Sequence, residues 1–413
     1  MQNMKKNMLW NAAGNIVYLA CQWLVTVLVT NLGDFRDAGV LSIAMSVSAT
    51  FQTLAMFGIR NFQVSDIENK YSNTCYVSFR VITCLAAMAG CMIFSLVTAY
   101  RGEPLLAIFL FMLFRLAENF SDVLHGIAQK NGRLDIAGKS FAIKGVGLLL
   151  LFLAAYRWSG RLTVGLACMA LFSCLSTLLF DLPAVRKLVS FSFWERKGNR
   201  WMLARETAPL CVYLFLAAAM TTVPKLILEK QCGEEILGAY SSIFAPALLI
   251  QAAMGYIYNP FAQQLGELRQ NGDRHAFLRL SGKITAAIAV ITALMMVVAH
   301  FLGEWALILI FGEQIQPYIF LLIPILIAVA VTAFLSFLCM LATVLRSFLW
   351  LLVACGAGVL IELFGTSVWI GGVGINGTSY SCILASAVAC VILTLHILYK
   401  LLYQNKKGEH NES

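Results

Sequence analysis

Four ionisable side chains stand within eleven positions of an otherwise oily run, "FMLFRLAENFSDVLHG" at residues 111–126: Arg115, Glu118, Asp122 and His125. At about 100° per residue on an α-helix, they fall within an arc of roughly 80°. A guanidinium, two carboxylates and an imidazole on one stripe can bind an anion, hold a cation or pass a proton. A second stripe is uncharged: Asn11, Asn15, Tyr18, Gln22 and Thr26 also share one helical face of roughly 80°. Amides and hydroxyls in that pattern suit a water-filled groove, hydrogen bonds to sugars, or helix–helix packing. Lys144 and Lys225 add positive charge inside apolar runs, and Lys225 follows Pro224, which frees a backbone carbonyl and bends a helix. Lys144 is expected to snorkel to the inner interface. Glu362 is a lone acid deep in an apolar run without a sequence partner, and His300 reads as interfacial.

The elements that position these residues follow from composition. The 413 residues are 60% hydrophobic and 12% charged, with a mean hydropathy of +0.79. A soluble chain of this length needs about twice that share of charge. Apolar runs long enough to cross a bilayer as helices recur from end to end. The pattern predicts an all-α integral membrane protein with about twelve transmembrane helices, at 8–30, 40–62, 75–98, 104–127, 140–156, 162–180, 207–228, 237–262, 283–303, 317–344, 349–370 and 377–399. The first run is too long for a signal-peptide core and lacks a cleavage site.

Charge sets the orientation. With the N-terminus inside, 23 of the 30 Lys and Arg lie on the cytoplasmic side, six lie outside, and Arg115 remains in the membrane. That bias predicts a cell-membrane, multi-pass protein with both termini cytoplasmic. The net charge of +9 is then a topology signal and gives no reason to expect nucleic acid. A basic linker at 186–206 separates an N-terminal six-helix bundle, 1–185, from a C-terminal one, 207–400, and a polar cytoplasmic tail follows at 401–413. The halves look like a repeat: at an offset of 199, Gly39 meets Gly238, Ser42 meets Ser241, Gln52 meets Gln251, and Phe62 meets Phe261. Duplicated halves are a recurring transporter plan.

A charge facing lipid at mid-membrane costs about 2.5–3.5 kcal/mol on insertion scales. The Arg115 stripe must therefore face protein or water, with Glu118 one turn away as partner for the arginine. Two readings follow: an ion pair that fixes helix packing, or one wall of a hydrated substrate or ion path. The stripe runs further than one packing pair requires.

Motifs of covalent chemistry are missing. "GVGING" at 372–377 fits the dinucleotide pattern only in spacing, since it joins two membrane spans and not a strand to a helix. Asn376-Gly377-Thr378 matches a glycosylation acceptor of the kind that arises by chance. No HExxH, P-loop or nucleophile elbow occurs, and the twelve cysteines form no C-x-x-C pair. The outer loops are too short for a catalytic domain, so no enzyme activity and no metal site are expected.

The order of residues from Asn7 to Phe62 resembles the N-terminal region of Wzx-type polysaccharide flippases, which translocate O-antigen or capsule repeat units. They share a superfamily with MATE exporters and the peptidoglycan lipid flippase. The features are Asn7-x-Leu9-Trp10-Asn11, Leu32-Gly33 followed by Gly39, Leu41 and Ser42, Phe57-Gly58, and "GVGINGTSYS" (372–381) opening the last span. The resemblance implies two six-helix bundles around a central cavity that works by alternating access. The substrate it implies is a polyprenyl-diphosphate oligosaccharide, moved from the inner to the outer leaflet, with membrane lipid and the polysaccharide polymerase machinery as partners. In that task Arg115, Lys225, Arg60, Arg80 and Lys144 would meet the diphosphate, and Asn11, Asn15 and Gln22 the sugars. No cofactor is implied beyond a coupling ion, H+ or Na+, for which Glu118 and Asp122 are the candidate acids. Some relatives carry such an acid in the first span, and this chain has none there. The alternative within transport is a MATE-like, ion-coupled exporter of cationic small molecules, which predicts a net acidic cavity.

Overall fold

Apolar runs in a bilayer have no water for their backbone groups, so each must satisfy its own N–H and C=O as a helix. A computed structural model describes residues 2–66, 70–195 and 199–403. Among them there is no strand, and twelve long helices follow in order: α1 (Gln2–Leu32), α2 (Phe35–Met56), α3 (Asn73–Val97), α4 (Gly102–Lys130), α5 (Leu134–Ser159), α6 (Leu162–Arg186), α7 (Arg200–Cys232), α8 (Glu234–Tyr258), α9 (Arg274–Phe311), α10 (Leu322–Val344), α11 (Phe348–Val373) and α12 (Asn376–Tyr403). Eleven are long and apolar enough to cross a membrane among the described residues; α8, at 25 residues, carries no charge after Glu235. The chain is a multi-pass membrane protein. The expected tail lies, from residue 404, outside the described residues.

Local chemistry sets several helix ends. The Asp34 carboxylate accepts from Asp37 N (2.8 Å) and the Ser72 hydroxyl from Cys75 N (2.9 Å), capping α2 and α3. The predicted span 40–62 is broken: Phe57 and Gly58 both adopt left-handed backbone (φ 49 and 67), Phe57 N closes on Thr53 O, and a short helix, Ile59–Ser65, follows. The corresponding span of the second half breaks at Asn259–Phe261, where Pro260 sits, and is followed by Ala262–Gln270.

Two compact units divide the chain, Met1–Ala218 and Ala219–Ser413, with the division inside α7. In the first, α1 lies along α5, α2 against α3 and α4, and α6 against α4 and α5. Gly14 and Gly138 make the α1–α5 approach possible, because a Cβ on either would collide with backbone of the other helix. At one end, Tyr76, Val77, Phe79, Leu124, Ile127 and Val185 form a buried apolar core. In the second unit α12 lies against α10 and α11, and α8 against α10.

Candidate functional site

The stripe on α4 borders an open cavity of about 210 Å3 lined by α1, α2, α4 and α5 of the first unit. Arg115 Nη1 donates to Glu118 Oε2 at 2.9 Å, the pair expected from their spacing, and its guanidinium lies over the rings of Phe111 (5.2 Å) and Phe114 (5.4 Å). From α1, Gln22 Nε2 reaches Glu118 Oε1 (3.4 Å) and the Tyr18 hydroxyl (2.5 Å), and Asn15 lines the same space. Across it, Gln52 Nε2 of α2 donates to Asn119 Oδ1 at 3.2 Å.

Asp122 is clamped between two guanidiniums. Arg60 Nη1 donates to its Oδ1 at 2.6 Å and Arg80 Nη2 to its Oδ2 at 3.1 Å. Arg80 is completely buried and also holds Ala55 O (2.6 Å), the carbonyl left free near the end of α2. It presents no surface to a substrate, so its place is inside the wall. Arg60, with its side chain 23% exposed, keeps a face to solvent.

The expectation that Lys144 snorkels is corrected. Its side chain is 2% exposed, and its Nζ donates to Asp181 Oδ2 (2.8 Å), Thr177 Oγ1 (3.0 Å) and Ser121 Oγ. His125 Nε2 meets the other Asp181 oxygen at 3.2 Å, which places the imidazole in this network. Three partners inside the protein replace the headgroups a snorkelling lysine would seek.

Asp181 is the residue that sequence reasoning missed. Predicted span six ends at 180, one residue short of it. The helix instead continues past Pro183 through one wide turn, Thr177–Asp181, with π-type geometry. Proline supplies no N–H and crowds the carbonyl four residues back, and a π-turn absorbs both defects. A lone Asp four residues after Thr177 was the available signal.

The remaining candidates lie apart. Asn11 is half-buried in the N-terminal part of α1, its Oδ1 without a protein partner among the described residues. Lys225 belongs to the second unit, its ammonium 4.1 Å from the centroid of the Phe244 ring. There too, Glu362 is 1% exposed and is not partnerless: its Oε2 accepts from Thr366 and Ser381 hydroxyls, both at 2.7 Å. No cluster of three His, Cys, Asp or Glu side chains fit to hold a metal occurs among the described residues.

Chemically, four cations (Arg60, Arg80, Arg115, Lys144) face three carboxylates (Glu118, Asp122, Asp181), and each carboxylate is already engaged. Counting Arg, Lys, Asp and Glu side chains, the network carries an excess of one positive charge. Among the described residues, Arg115 Nε and Asn119 Nδ2 are buried donors without a protein acceptor. An unmet buried donor costs about 1–3 kcal/mol, so both suit an acceptor brought by water or ligand.

These features define a polytopic membrane protein with a positively biased polar cavity inside one helical unit, and comparison with solved structures gives the fold a class. The structure matches an inward-facing multidrug resistance MATE family transporter of the MOP superfamily (TM-score 0.70, 13% identity, covering 95% of this chain and 98% of that one). It also matches a mutant of the Vibrio cholerae MATE transporter VcmN (TM-score 0.68, 11% identity, 98% and 97%). The chain has a MATE-like transporter fold, the fold that the resemblance implied. Its sequence is 26% identical over 315 residues to "Capsular polysaccharide biosynthesis protein CapF" of Staphylococcus aureus, covering 75% of this chain and 78% of that protein. That likeness agrees with the Wzx-type resemblance. No family model matches the sequence.

Proposed function

We propose that the chain translocates a polyprenyl-diphosphate oligosaccharide from the inner to the outer leaflet by alternating access, with both termini cytoplasmic. The observation that carries this reading is the charge of the first-unit cavity: every acid is paired, and Arg115 keeps an unmet donor among amide side chains. A diphosphate is a strong acceptor for such a guanidinium, and Gln22, Gln52 and Asn15 suit sugar hydroxyls. The similarity to a capsular polysaccharide biosynthesis protein supports the same substrate class. An exporter of cations would need an uncompensated acid at this place, and the neutralised carboxylates argue against it.

Arg115 is the proposed first contact for the diphosphate, with Arg60, held at Asp122 two turns further along α4, as a second. Lys225 is a further contact in the second unit, where its ammonium faces an aromatic ring and no carboxylate among the described residues. The proposed coupling acid is Glu118. Its single cation is the arginine that a diphosphate would attract, and its release from Arg115 would favour uptake of H+ or Na+. Asp122, held by two arginines, has less reason to bind an ion. The lipid tail stays in the bilayer, and polymerase machinery receives the product outside.

The test is lipid extraction from cells lacking the gene. Polyprenyl-diphosphate oligosaccharide should accumulate in the inner leaflet, and wild type but not Arg115→Ala should cure it. No accumulation, with altered sensitivity to cationic drugs, would replace this reading with the exporter.

A further inference from the structure

The second unit holds a cavity of about 190 Å3 where several helix ends meet. Its walls bring together Arg269 from the short helix Ala262–Gln270, Arg274 at the start of α9, and Lys400 near the end of α12. Two of these cations cap the carbonyl end of α10. Arg269 Nη1 donates to Val344 O, and Lys400 Nζ donates to Leu345 O (2.7 Å) and Ser347 Oγ (3.0 Å). That work leaves most guanidinium hydrogens of Arg269 unspent. Arg274 makes no side-chain hydrogen bond or ion pair among the described residues.

The lining has one acid, Asp273, and its Oδ1 is committed to Ala276 N at 2.9 Å as the N-cap of α9. Three cations therefore converge on one carboxylate, an excess of two positive charges, beside the N-terminus of a 38-residue helix whose dipole adds positive potential. Such convergence is self-repelling until an anion enters. The depth of the site indicates which anion. Trp350 stacks on His396 at 4.7 Å, His396 Nε2 meets the same Ser347 hydroxyl that Lys400 holds, and Trp350 and Leu349 are exposed. An exposed tryptophan at a helix end marks the headgroup level of a bilayer.

We propose that this cavity binds the phosphate of an anionic phospholipid headgroup, with Arg274 as the cation free to engage it and Arg269 and Lys400 alongside. Basic pockets between helix ends recognise such headgroups by charge. The inference is independent of the transport reading.

The test uses the purified, delipidated full chain in neutral detergent, with phosphatidylglycerol, phosphatidylcholine and inorganic phosphate as probes. Phosphatidylglycerol should bind in preference to phosphatidylcholine. Arg274→Gln should weaken it about tenfold, the effect of losing one charge-assisted hydrogen bond, while Arg274→Lys retains most of the affinity. Because Arg274 makes no internal side-chain bond, circular dichroism of both variants should match wild type; Lys400→Gln is the second variant should Arg274→Gln misfold. Equal binding of the two lipids, or phosphatidylglycerol affinity untouched by Arg274→Gln and Lys400→Gln, overturns the proposal. Inorganic phosphate binding as tightly as the lipid, with the same sensitivity to Arg274→Gln, makes the ligand a soluble anion and overturns the lipid source.

Discussion

The two units treat buried charge differently. In the first, Arg80, Lys144, His125 and Asp181 are within 2% of full burial beside a cavity, Arg80 paired with Asp122, and Lys144 and His125 both held by Asp181. In the second, Glu362 is as deeply buried but rests on two hydroxyls, and Lys225 rests on an aromatic face. Membrane helices tolerate ionisable groups only when something replaces water. A network of ion pairs does this at several positions at once and holds its members rigidly. Isolated hydroxyl shells do it locally and order nothing beyond themselves. The first unit therefore supplies a preorganised polar wall, and the second supplies single polar points.

The largest expected effect follows from that contrast. Asp181→Ala leaves Lys144 buried without a counter-charge, and breaking one side of such a pair costs about 3–5 kcal/mol. Membrane abundance and the thermal midpoint in detergent should both fall sharply. The double variant Lys144→Met, Asp181→Leu should recover abundance, because replacing a buried pair with apolar groups is close to neutral. Unchanged abundance in Asp181→Ala would remove the distinction between network and points.

In the second unit, Glu362→Gln should cost only about 1 kcal/mol, since an amide oxygen can still accept from Thr366 and Ser381. A thermal loss as large as that of Asp181→Ala would give the two units equal standing. Lys225→Met should leave abundance at wild-type level, because no ion pair is broken, while slowing translocation several-fold. Full translocation by this variant would confine the substrate contacts to the first unit.

The smallest effect lies outside the membrane. Partial burial works to raise the Asp66 carboxyl, but the backbone N–H groups of Lys70 and Tyr71, the Tyr76 hydroxyl and Lys130 outweigh it and hold it below the usual carboxylate range. A carboxyl depressed in the folded state stabilises above its unfolded pKa of about 4, and that contribution is lost as pH falls through the folded value. Wild type should therefore lose a small part of its stability below about pH 4 that Asp66→Asn lacks throughout. Identical acid profiles would show that this surface turn contributes nothing.

Much of the fold was legible because hydropathy and bilayer thickness leave the backbone little choice, so each expected span overlaps one long helix, even where that helix breaks before the span ends. The break at Phe57–Gly58 was not, because a bulky residue in left-handed backbone has no sequence signature. The Arg115–Glu118 pair followed from their spacing on one helix. The clamp of Arg60 and Arg80 on Asp122, and the joining of Lys144 to Asp181, depend on how four helices pack, which periodicity along one helix does not encode. Asp181 lay one residue beyond the predicted span, and the helix carries it on through a π-turn and past Pro183.

The most direct test measures translocation of fluorescently labelled polyprenyl-diphosphate oligosaccharide in proteoliposomes with wild type, Arg115→Lys and Arg115→Gln. Loss of one charge-assisted contact of about 1.5–3 kcal/mol corresponds to a rate at least about tenfold lower. The account predicts that loss in Arg115→Gln with yield and helicity unchanged, and partial rate in Arg115→Lys. Full translocation by Arg115→Gln, or loss of the folded protein with it, would contradict the account and leave Arg115 as a packing residue.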